Sequence, residues 1–231
     1  MKLDQVLREL EARSDRRLIA VWQRIGMDIR HFYGVSQTQI AHLAKTIGKD
    51  HDLAGELWAS GVHDARLLAV LIEDKTKITE GQVFLWLNDS DYWDLSDIVV
   101  KDLLVNLDIK FVIRVIKDSL KSDKEFVERA SYIAIGELAR RSNKIGSKEF
   151  DIYLNKIDRQ VKKARNWVVE AMLFALVMIG MRNKTLNKKA IVVAKKISEA
   201  DVVVEYGDAP RQTPNVYEYL TSREAQAKLG S

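Results

Sequence analysis

The heptapeptide Asp91-Tyr92-Trp93-Asp94-Leu95-Ser96-Asp97 sets two aromatic rings and three carboxylates directly before the apolar run Ile98-Val99-Val100. Trp93 and Asp97 are four residues apart, so a helix beginning here places them on one face, one turn from each other. A carboxylate and an indole face held together can stabilise a positive charge from two sides. The chemistry this suits is that of a ligand that is cationic or becomes so during a reaction. Asp94, in the first turn, reads as a carboxylate set against the positive end of the helix dipole, with Asp91 or Ser90 as the cap proper. Asp97 lies beyond that turn and has two readings, a surface or Arg129-paired aspartate and a cation-stabilising group. Trp93 is likewise either a core ring or a ligand contact, and Tyr92 reads as a packing ring.

The elements that must carry these residues are helices. Apolar residues fall at helical spacing from Leu3 to Trp22, and the segment His31-Phe32-Tyr33-Gly34-Val35 then interrupts the pattern. Ser36 reads as the N-cap of a helix through Ile47. Further helices are expected at about 51–60, 63–74, 79–88, 92–106, 109–121, 124–142, 147–164, 166–182 and 185–199, joined by short connections. Only Val202-Val203-Val204-Glu205-Tyr206 has any strand character. The two prolines, Pro210 and Pro214, lie near the end, so none breaks a helix before them. The fold class expected is all-α.

Four of these segments share a pattern, a polar residue followed by a long apolar stripe. Superimposing the stripes brings Arg66, Asp97, Arg129 and Glu170 into register, at separations of 31, 32 and 41 residues. Such periods belong to HEAT and armadillo helix pairs, whose stacking aligns equivalent positions along one concave face. The expected architecture is a single domain over 1–231, a right-handed α-solenoid of five or six HEAT-like pairs. Residues 1–200 form the repeats, and 201–231 form a capping segment with a short helix after Thr213-Pro214.

Composition narrows the chemistry. There is no cysteine, which excludes disulfides, thiolate catalysis and zinc-cysteine sites. The four histidines, His31, His42, His51 and His63, show no metal-ligand spacing and read as surface or cap residues, so no metal and no cofactor is expected. Phosphate-loop and serine-hydrolase motifs are absent. The N-terminus reads as a charged amphipathic helix and the run Ala171–Met178 is too short to span a bilayer, so a cytoplasmic protein without membrane contact is expected. Charge is uneven: Lys and Arg number 12 against 16 acidic residues in 1–100, but 22 against 12 in 101–200. That surplus suits a polyanion, or equally a solvated lysine-rich face.

The segments HFYGVSQTQIAHLAKTIG, ELWASGVHDARLLAVLI, YWDLSD, VERASYIAI and WVVEAMLFAL, spread over residues 30–180, resemble the AlkD-like DNA alkylation repair glycosylases. The Trp-Asp-x-x-Asp piece in its repeat context is the most specific of them. The resemblance implies a HEAT-like repeat enzyme, independent of metal and cofactor, that removes cationic alkylated purines of the 3-methyladenine and 7-methylguanine type from duplex DNA without a deep pocket for the extruded base. It places Trp93 and Asp97 at the active-site tryptophan and catalytic aspartate, and Arg129 at an arginine that contacts the DNA backbone beside the lesion. A second family tryptophan falls at Phe174, a smaller ring, and Glu170 stands near a place where a more basic residue is expected.

The chemistry of the residues agrees with what the resemblance implies. A cationic alkylated base is a good leaving group, because cleavage neutralises its ring while positive charge develops on the sugar. A carboxylate beside that sugar can stabilise the charge and orient a water, and Asp97 is the candidate. Arg66, Lys162, Lys163 and Arg165, with other basic residues of the middle segment, are candidate phosphate contacts. The expected partner is alkylated double-stranded DNA bound by a monomer. Two other classes stay open: a DNA-binding relative without catalysis, and a protein–protein scaffold.

Overall fold

The computed structural model describes residues 1–208 and 215–230, and every regular element among them is helical. The chain divides into two compact units. The first comprises Met1–Leu103 with the described residues from Tyr206, and the second Leu104–Glu205 with the described C-terminal helices.

The first unit contains α1 (Leu3–Glu11), α2 (Arg16–Arg24), α3 (Gln37–Ile47), α4 (His51–Ala59), α5 (His63–Ile72), α6 (Glu80–Asp89) and α7 (Trp93–Ile98). The apolar spacing from Leu3 to Trp22 spans two helices, where one pattern alone suggested continuity. The chain breaks at Ser14 and Asp15 because the following loop docks there. Ser14 Oγ donates to the Tyr33 carbonyl, the Asp15 N–H donates to the Gly34 carbonyl, and the Asp15 side chain caps Arg17 N–H. Gly34 is required at that contact. Its φ is +76°, and a Cβ would lie 2.6 Å from Ile19 Cγ1 and 2.9 Å from the Asp15 carbonyl oxygen. Ser36 then begins α3 with a reciprocal capping box to Gln39, as its position predicts.

Helix α5 packs against α3, α4 and α7, so it is buried on several faces, from Ala65 through Ile72. After α7 the helix widens into a π-helical stretch, Val99–Leu103, packed on α5 and α6. The 92–106 expectation thus holds in extent but not in uniformity. Buried Leu95, Val99, Val100 and Leu103 anchor this run in the core and leave the side carrying Trp93 and Asp97 toward a cleft.

The second unit opens with a 3-10 turn, Leu104–Asn106, then α8 (Ile109–Ser119), α9 (Glu125–Arg141), α10 (Ser147–Gln160) continued by a 3-10 turn at Val161–Lys163, α11 (Asn166–Gly180), α12 (Lys184–Glu199), α13 (Val216–Thr221) and α14 (Arg223–Gly230). Its most extensive helix pair is α9 with α11. Gly136 lets them approach, since a Cβ there would sit 2.5 Å from Phe174 Cε1 and 3.3 Å from the Ala175 Cα. Both helices are apolar on more than one face because each also packs on other helices, α9 on α8 and α11 on α12 and α13.

The segment 202–206 forms no strand. Thr213 and Pro214, proposed to introduce the last helix, lie outside the described residues. The short helix itself is present as α13, capped by the Asn215 side chain on Glu218 N–H. Among the described residues, no helix is long and apolar enough to cross a membrane.

Candidate functional site

Trp93 and Asp97 stand one turn apart on α7, as their spacing requires, and both line an open cleft of about 310 Å³ in the first unit. Gln37, Ile40 and Ala41 of α3 form one wall and Leu67 and Leu71 of α5 another. Asp94, Ile98, Lys101 and Asp102 complete the lining, giving three carboxylates and one ammonium on a largely apolar cup. Asp97 is nearly buried, and Lys101 Nζ donates to its Oδ2 at 3.0 Å. A carboxylate in such a place acts through a lower dielectric than water and is correspondingly effective on a nearby positive charge.

Trp93 is half-buried and held by a ring cluster. Trp22 of α2 stacks on it with centroids 5.8 Å apart and planes inclined by 23°, and the Trp22 ring also meets Tyr92 and Phe32 edge-on. Tyr92 is buried as expected, and its hydroxyl donates to the Ile25 carbonyl at 2.8 Å. Neither Ser90 nor Asp91 caps α7. The N-cap residue is Tyr92, which makes no side-chain cap.

Behind the cleft lies an ion pair that the surface-or-cap reading of the histidines missed. His63, at the start of α5, is buried, and its Nε2 donates to Asp94 Oδ2 at 3.0 Å. Burial alone would lower the imidazole pKa. The carboxylates of Asp91, 3.9 Å from Nδ1, and Asp94 outweigh it, with Asp64 adding a smaller attraction, and hold His63 up at about 9. His63 is therefore an imidazolium at neutral pH, and Asp94 answers it as well as facing the helix start. A signal for this pairing did exist, because His63 and Asp94 are 31 residues apart, the same register that relates Arg66 to Asp97.

The remaining sequence candidates divide by exposure. Arg66 Nε and Nη1 donate to the Trp58 and Asp89 carbonyls at 3.2 and 3.3 Å, and the guanidinium lies over the Trp58 ring, so it closes the ends of α4 and α6. In the second unit, Arg129 is only 3% exposed; its Nη1 donates to the Trp167 carbonyl at 2.8 Å and to Glu170 Oε2 at 2.6 Å. Arg165 bonds the Ser122 and Asp123 carbonyls and Glu128. Phe174 is half-buried against Gly136. Lys162 and Lys163 are exposed on the 3-10 turn after α10. The structure thus brings Trp93 and Asp97 into one cleft, adds Lys101, Trp22, His63 and Asp94 to their surroundings, and gives Arg66, Arg129 and Arg165 internal partners.

Helices tied across a repeat interval, with a cleft lined by carboxylates, an ammonium and one indole, are the features of a HEAT-like helical repeat protein. The family model of the DNA alkylation repair enzymes matches residues 6–207, and the chain belongs to that family. A solved structure from "a new family of proteins related to the HEAT-like repeat DNA glycosylases with affinity for branched DNA structures" matches 100% of this chain and 97% of its own, at 23% identity and a TM-score of 0.83. That likeness establishes the HEAT-like fold. A designed armadillo repeat protein matches at 14% identity, over 92% of this chain and 98% of its own, with a TM-score of 0.34. No curated protein matches the chain significantly.

Proposed function

We propose that the protein binds duplex DNA and hydrolyses the N-glycosidic bond of cationic alkylated purines, with Asp97 as the catalytic carboxylate and Trp93 as the aromatic wall beside it. The observation that carries this reading is the shared cleft: a nearly buried carboxylate and a half-buried indole on one helical face, open to a ligand. Membership of the DNA alkylation repair family supports the substrate class.

The chemistry follows from the charges. When the bond from C1′ to the ring nitrogen breaks, its electron pair neutralises the cationic base and leaves positive charge on the sugar. A carboxylate at about 4 Å from that charge is worth roughly 4 kcal/mol at an effective dielectric near 20, about three orders of magnitude in rate. Water then adds at C1′ and gives up a proton, for which the Asp97 carboxylate is the nearest acceptor in the proposal. No strong general acid is needed, since the leaving base departs neutral. Exposed Lys162 and Lys163 serve as phosphate contacts, whereas Arg66, Arg129 and Arg165 act first in holding helices together.

The test is base release from duplex DNA carrying N-methylated purines, resolved by chromatography, with no metal added. The wild type is expected to release methylpurine, and Asp97→Asn to lower the rate by about 10²- to 10³-fold with helicity and DNA affinity retained. A second reading is favoured by Phe174 in place of a tryptophan and by the branched-DNA affinity of the structural neighbour's family. Under it the protein binds DNA, branched forms included, without cutting the glycosidic bond. Salt-sensitive binding with no release from any methylated substrate would establish that reading, and absence of both would point to a protein scaffold.

A further inference from the structure

Asp97 and Asp94 each face an internal cation, but the two pairs differ in how easily they open. The His63–Asp94 pair is sealed, with both side chains 4% exposed. In the Lys101–Asp97 pair the carboxylate is 8% exposed and the lysine 37% exposed, on the lip of the cleft. Lys101 sits four residues after Asp97 and within the π-helical stretch, so its four-carbon stem runs beside the cleft while its ammonium reaches the carboxylate.

We infer that Lys101 is a specificity-determining residue whose ammonium occupies, in the free protein, the place that the substrate's positive charge takes against Asp97. The inference rests on the proposed role of Asp97. Binding then exchanges one cation for another. The departing ammonium is compact, strongly hydrated and already near solvent, so it regains its water readily. An alkylated purine cation is planar, delocalised and weakly hydrated, and it meets both the Asp97 charge and the Trp93 ring face. A neutral ligand gains nothing from the exchange and leaves Asp97 paired to Lys101. The sealed His63–Asp94 pair stays intact throughout and offers no such exchange. Lys101 therefore sets how strong a cation must be before the cleft engages it.

The experiment compares affinities for two otherwise identical duplexes, one carrying a cationic pyrrolidine in place of a nucleotide's sugar and base, the other a neutral tetrahydrofuran. The measured quantity is the ratio of the two affinities. Lys101→Gln is expected to raise that ratio by about two- to tenfold, the span between an exposed helical ion pair and a partly buried one. Lys101→Arg, which keeps the charge, is expected to leave it near the wild-type value. Asp97→Asn is expected to collapse the ratio toward one, with or without Lys101. A ratio that responds to Asp97→Asn but stays level or falls in Lys101→Gln overturns the role of Lys101 alone. Insensitivity to Asp97→Asn, together with no base release, overturns the assignment of Asp97 and this inference with it.

Discussion

The first unit ties its repeats together with inward-facing carboxylates, Asp64 and Asp94 buried and Asp89 half-buried. Asp64 accepts from the backbone N–H groups of Tyr33 and Val35 at 2.7 and 2.8 Å, Asp89 from the Trp58 indole, and Asp94 from His63. Most of these links span 31 residues. The second unit makes its ties chiefly with cations, at wider intervals. Arg129 reaches Glu170 across 41 residues, Arg165 reaches Glu128 across 37, and Arg182 reaches the Ala139 carbonyl across 43. Lys189 and Lys196 pair with Asp151 and Asp158, each across 38.

That contrast changes the meaning of the charge asymmetry. Several arginines of the basic half hold helices together, so a surplus counted from sequence overstates the charge offered to a polyanion. The exposed lysines are the better candidates for phosphate contacts. In the acidic half, carboxylates turned inward are matched by backbone N–H groups, an indole and an imidazole, whereas Asp97 lines the cleft and is paired there with the partly exposed Lys101.

The largest expected effect falls in the second unit. Arg129→Ala should cost about 3 kcal/mol or more in urea unfolding, because it leaves the Trp167 carbonyl and Glu170 without their buried donor. If stability is unchanged while DNA affinity drops, Arg129 serves the DNA backbone first and the contrast between the units fails at its main example. In the first unit the key is His63. Its folded pKa, about 9, lies above the ordinary 6.5, so its contribution is fully present below about pH 6.5 and is lost as pH rises through about 9. Wild-type stability should fall over that interval by roughly 2–4 kcal/mol, and His63→Gln should remove the dependence by being less stable at the low end. The smallest effect belongs to the exposed lysines. Lys162→Ala and Lys163→Ala should each reduce the slope of log affinity against log salt by about one, with stability unchanged to within about 0.5 kcal/mol. Unaltered slopes would return these side chains to the status of a solvated face.

Helix positions were legible because apolar spacing and caps are local. The expected segments from α3 through α12 match the observed helices closely, and Ser36 caps where its type and position say it should. The break between α1 and α2 was hidden, since the apolar spacing runs on across it and the cause is the docked Gly34 loop about twenty residues away. At the site, the Trp93/Asp97 pairing followed from helical geometry alone. Lys101 continues the same spacing, yet a lysine after an acidic residue on a helix is common enough to pass as surface charge.

By itself, the amino-acid sequence determined the all-helical class and the one-face placement of Trp93 and Asp97, because each depends on residues within a few turns of one another, and it showed the repeat interval as a pattern recurring along the chain. Only the tertiary structure decided which charges are available. Whether Arg66, Arg129 and Arg165 face solvent or a carbonyl, and whether His63 is a surface base or a buried cation, depends on groups brought together from 8 to 43 residues away. Ionisable side chains take their character from the partners and the dielectric that packing supplies, and residue type alone carries neither.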